Sequence, residues 1–188
     1  EYVEYMASEE RGFRHDREYL TRMFRKHMIQ NEPFEDVLEE KSIFWNDDLD
    51  LCASMVIKTV KTIREDDDDV QLLPLWREDD DDRQFMETLF QNTLGQAKEN
   101  EELITAAAAN WDLDRFALID RILMKMAIAE ARSLESIPLK VTLNEYIELS
   151  KYYSTPKSSG FINGILDQLF NEMKADKRIV KVGRGLLD

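Results

Sequence analysis

The chain has 188 residues, enough for one ordinary domain or two small helical bundles, and 43% of them are apolar, too many for a disordered chain. Six Gly and four Pro cannot supply the turns that a sandwich or barrel needs every ~8–12 residues, so long helices are expected. The formal charge of −14 argues at first sight against nucleic acid, because phosphates are held by Lys and Arg.

The chain opens on Glu1 rather than Met, shows no signal-peptide pattern, and reads as a piece of a longer protein. Its one cysteine, Cys52, cannot form an internal disulfide, which fits a reducing, cytoplasmic setting. The apolar run around Cys52 marks it as a buried small hydrophobe. No stretch approaches the ~18 apolar residues of a membrane span.

Residues 1–65 are expected to form an N-terminal helical bundle. A shift of 66 residues aligns Asp16-Arg17 with Asp82-Arg83, Phe24 with Phe90, Gln30 with Gln96, Glu35 with Glu101, Trp45 with Trp111 and Asp48 with Asp114. The apolar phase follows, with Tyr19/Phe85, Leu20/Met86, Met23/Leu89, Leu38/Ile104, Val56/Ile122 and Ile57/Leu123. Each copy then reads as helix, short helix, Trp-containing turn and long helix. An internal duplication giving two packed bundles is one reading, and chance likeness between two amphipathic stretches is the other.

Residues 66–81 form an acidic linker. The runs Glu65-Asp66-Asp67-Asp68-Asp69 and Glu78-Asp79-Asp80-Asp81-Asp82 flank the apolar Leu72, Leu73, Leu75 and Trp76, with Pro74 among them. Calcium loops need alternating ligands and a turn glycine, which neither run has, so both read as solvated charge.

Residues 82–175 form the second bundle. Between Leu113 and Leu134, Asp114, Arg121, Lys125 and Arg132 share one stripe, while Phe116, Ile119, Ile122, Leu123, Met126, Ala127 and Ile128 cover a wide apolar arc. This is the pattern of a central helix buried on most sides, ending before Pro138. Asp120, set among apolar residues, needs a partner and reads as structural. Thr142-Leu143-Asn144-Glu145 matches a capping box and predicts a helix from Thr142 to about Ser154, closed by Thr155-Pro156. Ser158 or Ser159 is expected to cap a last long helix carrying Phe161, Ile162, Ile165, Leu166, Leu169, Phe170 and Met173. Residues 176–188 are a basic tail, expected to be loosely held. Pro138 to Asp188 carry 8 Lys+Arg against 6 Asp+Glu, whereas the first 137 residues carry 17 against 33. Any RNA-binding surface should therefore lie toward the C-terminal end.

Catalytic constellations are missing. His15 and His27 have no Cys or second His at ligand spacing, and there is no Gly-rich phosphate loop, no Gly-x-Ser-x-Gly and no His-Glu-x-x-His. The chain is expected to be no enzyme and to need no metal or cofactor.

What remains is an ordered set of elements: Trp111, Asp120-Arg121-Ile122-Leu123, Glu130, Ile137-Pro138-Leu139-Lys140-Val141, Asn144-Glu145, Glu148-Leu149-Ser150-Lys151, and Phe161-Ile162-Asn163-Gly164-Ile165-Leu166-Asp167. Over roughly Asp82 to Met173, about half the chain, this resembles the C-terminal half of the NusB family. The resemblance implies an all-α fold of two packed helical bundles, about seven or more helices in all. It implies RNA binding in bacterial transcription antitermination and termination control during ribosomal RNA synthesis. Its implied partners are NusE, a small-subunit ribosomal protein, the boxA segment of nascent RNA, and the transcription elongation complex. Phe161 matches the aromatic that opens the last helix and lies against RNA. A base stacked on an aromatic face is worth roughly 1–3 kcal/mol. Around that opening Tyr152, Tyr153, Lys151, Lys157 and Ser159 would add stacking and phosphate contacts. The plainer reading of Phe161 is a core residue at helical spacing with Ile165.

Three departures stand beside the likeness. NusB proteins usually begin with an arginine-rich helix, whereas Glu1, Glu4, Glu9 and Glu10 dominate here. Gly160 precedes Phe161 where a basic residue would help hold phosphate, and residues 13–62 do not match the family's first bundle on inspection. A protein-binding helical domain that kept the fold and lost RNA is thus the second reading. A third makes the chain the RNA-guiding domain of an RNA methyltransferase, which would require a methyl-donor-binding α/β domain after Asp188.

Overall fold

Helix is the only regular structure in the computed structural model, which describes residues 1–74, 80–108 and 117–186. Among these residues there are nine α-helices and no strand, so the all-α expectation holds. The chain divides into two units, Glu1–Leu75 and Trp76–Asp188.

Unit 1 contains α1 (Tyr2–Ala7), α2 (Phe13–Phe24), α3 (Glu32–Lys41) and α4 (Trp45–Thr62). Helix α2 runs directly into a π-helical turn, Arg25–Ile29. Asn31 then starts α3: its side chain accepts from the Phe34 N–H at 3.3 Å, and Pro33 occupies the first turn, where a missing N–H costs nothing. The ring of Tyr5 stacks on those of Tyr19 and His15, with centroids 3.9 and 5.1 Å apart. Ala53 and Ile57 of α4 form the buried apolar centre of this unit. Cys52 is exposed, against expectation. It sits one position, about 100° of helix, from Ala53, and the buried face runs through 53 and 57 rather than 52.

Unit 2 contains α5 (Asp81–Gly95), α6 (Ala97–Ala107), α7 (Leu118–Ser133), α8 (Leu139–Tyr153) and α9 (Ser158–Ala175), followed by a short 3₁₀ turn, Gly183–Leu186. Its core joins Ile104 of α6, Leu123, Met124, Ala127 and Ile128 of α7, and Tyr146 of α8 to Ile162, Leu166, Leu169, Phe170 and Met173 of α9. As its pattern predicts, α7 is buried on most sides. The thin polar stripe of α7 faces α6: Glu101 pairs with Arg121 and, at 2.6 Å, with Lys125, and Arg132 pairs with Glu99 at 3.0 Å. Burial pushes the Glu101 carboxyl up, but hydrogen bonds from Lys125 and Arg121 outweigh it and hold it below its ordinary value.

The 66-residue offset carries α3 onto residues 98–107, within α6, but burial follows it only in part, since Lys58, Lys61 and Thr62 are exposed where Met124, Ala127 and Ile128 are buried. Ile57 and Leu123 are both buried, while Val56 and Ile122 are both exposed. Trp76, Trp111, Asp114 and Phe116 lie outside the described residues.

Three expectations about helix ends change. Helix α8 starts at Leu139 rather than Thr142, because Pro138 has its φ at −61° and stands as the N-cap. Thr142 is inside the helix and fully buried, and its hydroxyl donates to Glu130 Oε1 of α7 at 2.7 Å instead of capping anything. Tyr146 OH, one turn on, donates to Glu130 Oε2 at 3.0 Å. No side chain caps α9, since the Ser158 hydroxyl is spent on Asp120.

The tail is docked rather than loose. After α9 the chain closes with paired backbone bonds, Arg178 N–H to Met173 O at 2.8 Å and Lys177 N–H to Lys174 O at 3.2 Å, with Lys177 at φ +57°. Ile179 is buried in the core. Lys181 Nζ donates to Leu134 O at 2.9 Å and Val182 N–H to Glu135 O at 3.0 Å, strapping the tail across the α7–α8 turn. At Gly185 a Cβ would stand 2.0 Å from Glu135 O, so only glycine permits this approach.

Candidate functional site

The residues singled out for RNA gather where α8 ends and α9 begins. Asp120, in the first turn of α7, holds this junction. It is 4% exposed, and its carboxylate accepts from Ser154 Oγ, at the C-cap of α8, and from Ser158 Oγ at 2.9 Å, the first residue of α9. Ser158 Oγ also lies 2.8 Å from Thr155 Oγ1 and 3.0 Å from Ser154 Oγ. A buried carboxylate needs such donors, and it finds them in the two segments whose mutual placement shapes the surface. Asp120 thus has the structural role its sequence context implies, with partners 34 and 38 residues away.

On the outside of this clamp, Tyr152 is 52% exposed, Lys151 and Lys157 are exposed, and Ser159 and Tyr153 are half-buried. Lys151 Nζ sits 2.5 Å from Glu148 Oε1 one turn earlier, so its charge is partly countered. Phe161 is half-buried and packs against the core, so its ring serves packing and surface at once. The junction therefore offers aromatic surface, two lysines and an α9 N-terminus without a side-chain cap, held over a buried polar anchor.

Two features escaped sequence reasoning. Ser154 and Ser158 are anchors for Asp120, a role that only the fold reveals. In unit 1, Arg17, Arg22, Arg25 and Lys61 line one cleft, a grouping hidden by the acidic total of the first 137 residues. Among the described residues, no group of three or more His, Cys, Asp or Glu side chains is placed to hold a metal ion. None of their helices is long and apolar enough to cross a membrane.

Comparison with known proteins decides the family: the model of the NusB family matches residues 14–171. The chain belongs to the NusB family. The match reaches back through α2, α3 and α4, so unit 1 also falls within the NusB pattern although residues 13–62 do not resemble it on inspection. Among relatives, the transcription antitermination protein NusB of Salinibacter ruber (strain DSM 13855 / M31) is 43% identical over 105 residues, covering 56% of this chain and 66% of that protein. The NusB of Chloroherpeton thalassium (strain ATCC 35110 / GB-78) is 43% identical over 106 residues, covering 56% and 50%. That of Natranaerobius thermophilus (strain ATCC BAA-1301 / DSM 18059 / JW/NM-WN-LF) is 39% identical over 90 residues, covering 48% and 65%. The chain thus spans between half and two thirds of the length of the NusB relatives it matches.

Proposed function

We propose that this NusB-family chain is a cytoplasmic, non-enzymatic adaptor in transcription antitermination, pairing with the ribosomal protein NusE on boxA-type single-stranded RNA within the elongation complex. The observation that carries the reading is the α8–α9 junction, where Lys151, Tyr152, Lys157, Ser159 and Phe161 stand together in a chain whose relatives are named for transcription antitermination. Exposed Tyr152 and the outer edge of Phe161 would stack on unpaired bases, and Lys157 would meet phosphate. The acidic balance elsewhere suits a basic protein partner, which would then supply much of the charge that RNA requires. The packing of Phe161 and the pairing of Lys151 with Glu148 favour a second reading, a protein-interaction module without RNA.

Fluorescence anisotropy of a labelled boxA RNA, with and without NusE, separates the two. Partner-dependent binding that weakens at least several-fold in Phe161→Ala supports the adaptor. No binding at low salt even with NusE refutes it for this chain and leaves the interaction module.

A further inference from the structure

The cleft of unit 1 asks for a ligand that nothing above assigns. It measures about 430 Å³, within the range of small-ligand sites, and is lined by Arg17, Glu18, Thr21, Arg22, Arg25 and Lys61. Positions 18, 21, 22 and 25 recur at helical spacing on one face of α2 and its continuation, and Lys61 comes from the last turn of α4. Four cations thus face one carboxylate, and that carboxylate is engaged, since Arg14 Nε donates to Glu18 Oε1 at 3.0 Å.

The cations are not alike. Arg17 is structural: its Nη1 donates to Ile63 O at 2.7 Å, tying α2 to the end of α4, and its guanidinium lies 5.7 Å from the centre of the Phe13 ring. Arg22, Arg25 and Lys61 have no carboxylate partner among the described residues. Their charges are therefore open to an anion in the cleft, although Arg22 also borders a second concavity with Glu1 and Glu4. Arg25 also opens the π-helical turn, closed by Gln30 N–H to Arg25 O at 3.2 Å, and such turns recur at functional sites. Guanidinium forks match phosphate oxygens in pairs, while a lysine adds a point charge. Arg22 and Arg25 are about 4.5 Å apart along the helix axis and Lys61 reaches the same cleft from α4, so one phosphate group or two adjacent ones can be met together.

We propose that this cleft binds the phosphate groups of a polyphosphate or phosphodiester ligand, with Arg22, Arg25 and Lys61 as the contacting residues and Arg17 as their support. The site lies wholly in unit 1 and does not depend on the RNA surface proposed for α8 and α9.

The test uses two probes on the full chain: inorganic pyrophosphate, followed by titration calorimetry, and a labelled single-stranded uridine decamer, followed by anisotropy at low salt. They are compared on the wild type, on R22A/R25A/K61A, and on K98A/K140A/R184A, which removes the same charge from unit 2. At least one probe is expected to bind the wild type, to weaken at least ten-fold in the cleft variant, and to change less than two-fold in the control. Thermal melting of the cleft variant should match the wild type, because the three side chains are exposed. Pyrophosphate binding alone identifies a free phosphate ligand. Decamer binding whose log–log salt slope shrinks by about 2 in the cleft variant identifies a nucleic-acid backbone, at about 0.7 per single-strand phosphate contact. The proposal is overturned if neither probe binds, if the two triple variants behave alike, or if a decaglutamate peptide competes as well as either probe.

Discussion

Replacing Glu130 with Gln should remove a loss of stability that the wild type suffers as pH rises. The Glu130 carboxyl is 5% exposed and held by two hydroxyl donors, Thr142 and Tyr146. Burial pushes it above its ordinary value, and the two hydrogen bonds pull it back only in part. Between the unfolded and folded values the native state therefore holds one more proton than the unfolded state. The stability this group contributes is complete below its unfolded value and is lost as pH rises through the folded one, at about 1.4 kcal/mol per pH unit between them. The amide introduced by Glu130→Gln would not titrate. At low pH the variant is expected to be about equal to the wild type, because a protonated carboxyl and an amide each present one donor side and one acceptor side to the two hydroxyls. As pH rises above the ordinary carboxyl range the variant should gain steadily on the wild type. Urea midpoints for both proteins at half-unit steps from pH 4 to 8 would show this. A constant difference over that range, or a wild type that gains on the variant, would mean that Glu130 is not buried as an uncompensated acid.

Asp120→Ala leaves the hydroxyls of Ser154 and Ser158 without their acceptor and should cost about 3 kcal/mol in denaturant unfolding, whereas Asp120→Asn, able to accept one of them, should cost less. Lys177→Gly should stabilise unit 2 by about 0.5–1 kcal/mol, because a side chain at φ +57° is strained and glycine is not. A higher melting temperature would report it, and no change would show that Lys177 makes up the strain elsewhere. Cys52 is expected to react with a maleimide in the folded protein at a rate close to that in urea, which a buried thiol would not do.

How much of this was legible depended on how local the signal was. The burial of α7 follows from a single periodicity, so Leu123, Met124, Ala127 and Ile128 could be placed from their spacing alone. Thr142 carried an equally clear local signal and misled. A capping box at 142–145 competes with Pro138 four residues earlier, and the deciding partner, Glu130, lies in another helix. Cys52 sat in an apolar run with residues on both sides of α4, where hydrophobicity without phase cannot say which side is inward. In the tail, the basic residues drew attention from Ile179, whose burial depends on the turn formed at Lys177. The candidate site was legible only as a run of neighbours. Lys151, Tyr152, Lys157, Ser159 and Phe161 are close in sequence, and the α8–α9 turn keeps them close in space. The Asp120 anchor joins residues more than thirty positions apart, and the cations of the unit 1 cleft were averaged away inside an acidic total.

The late position of α9 has a consequence for how the protein is made. Ile162, Leu166, Leu169, Phe170 and Met173 fill the space between α6, α7 and α8, and Ile179 with its strap follows them. A ribosome adding about 5–20 residues per second needs roughly 2–6 s to proceed from Tyr153 to Gly185. Through that interval Met124, Ile128 and Tyr146 are without the helix that covers them, while every helix of unit 1 has long since been made. Unit 2 therefore passes through an open, apolar state on each round of synthesis. Variants that slow the entry of α9 should show themselves first as lower yield in cells, before any loss of stability in the finished protein.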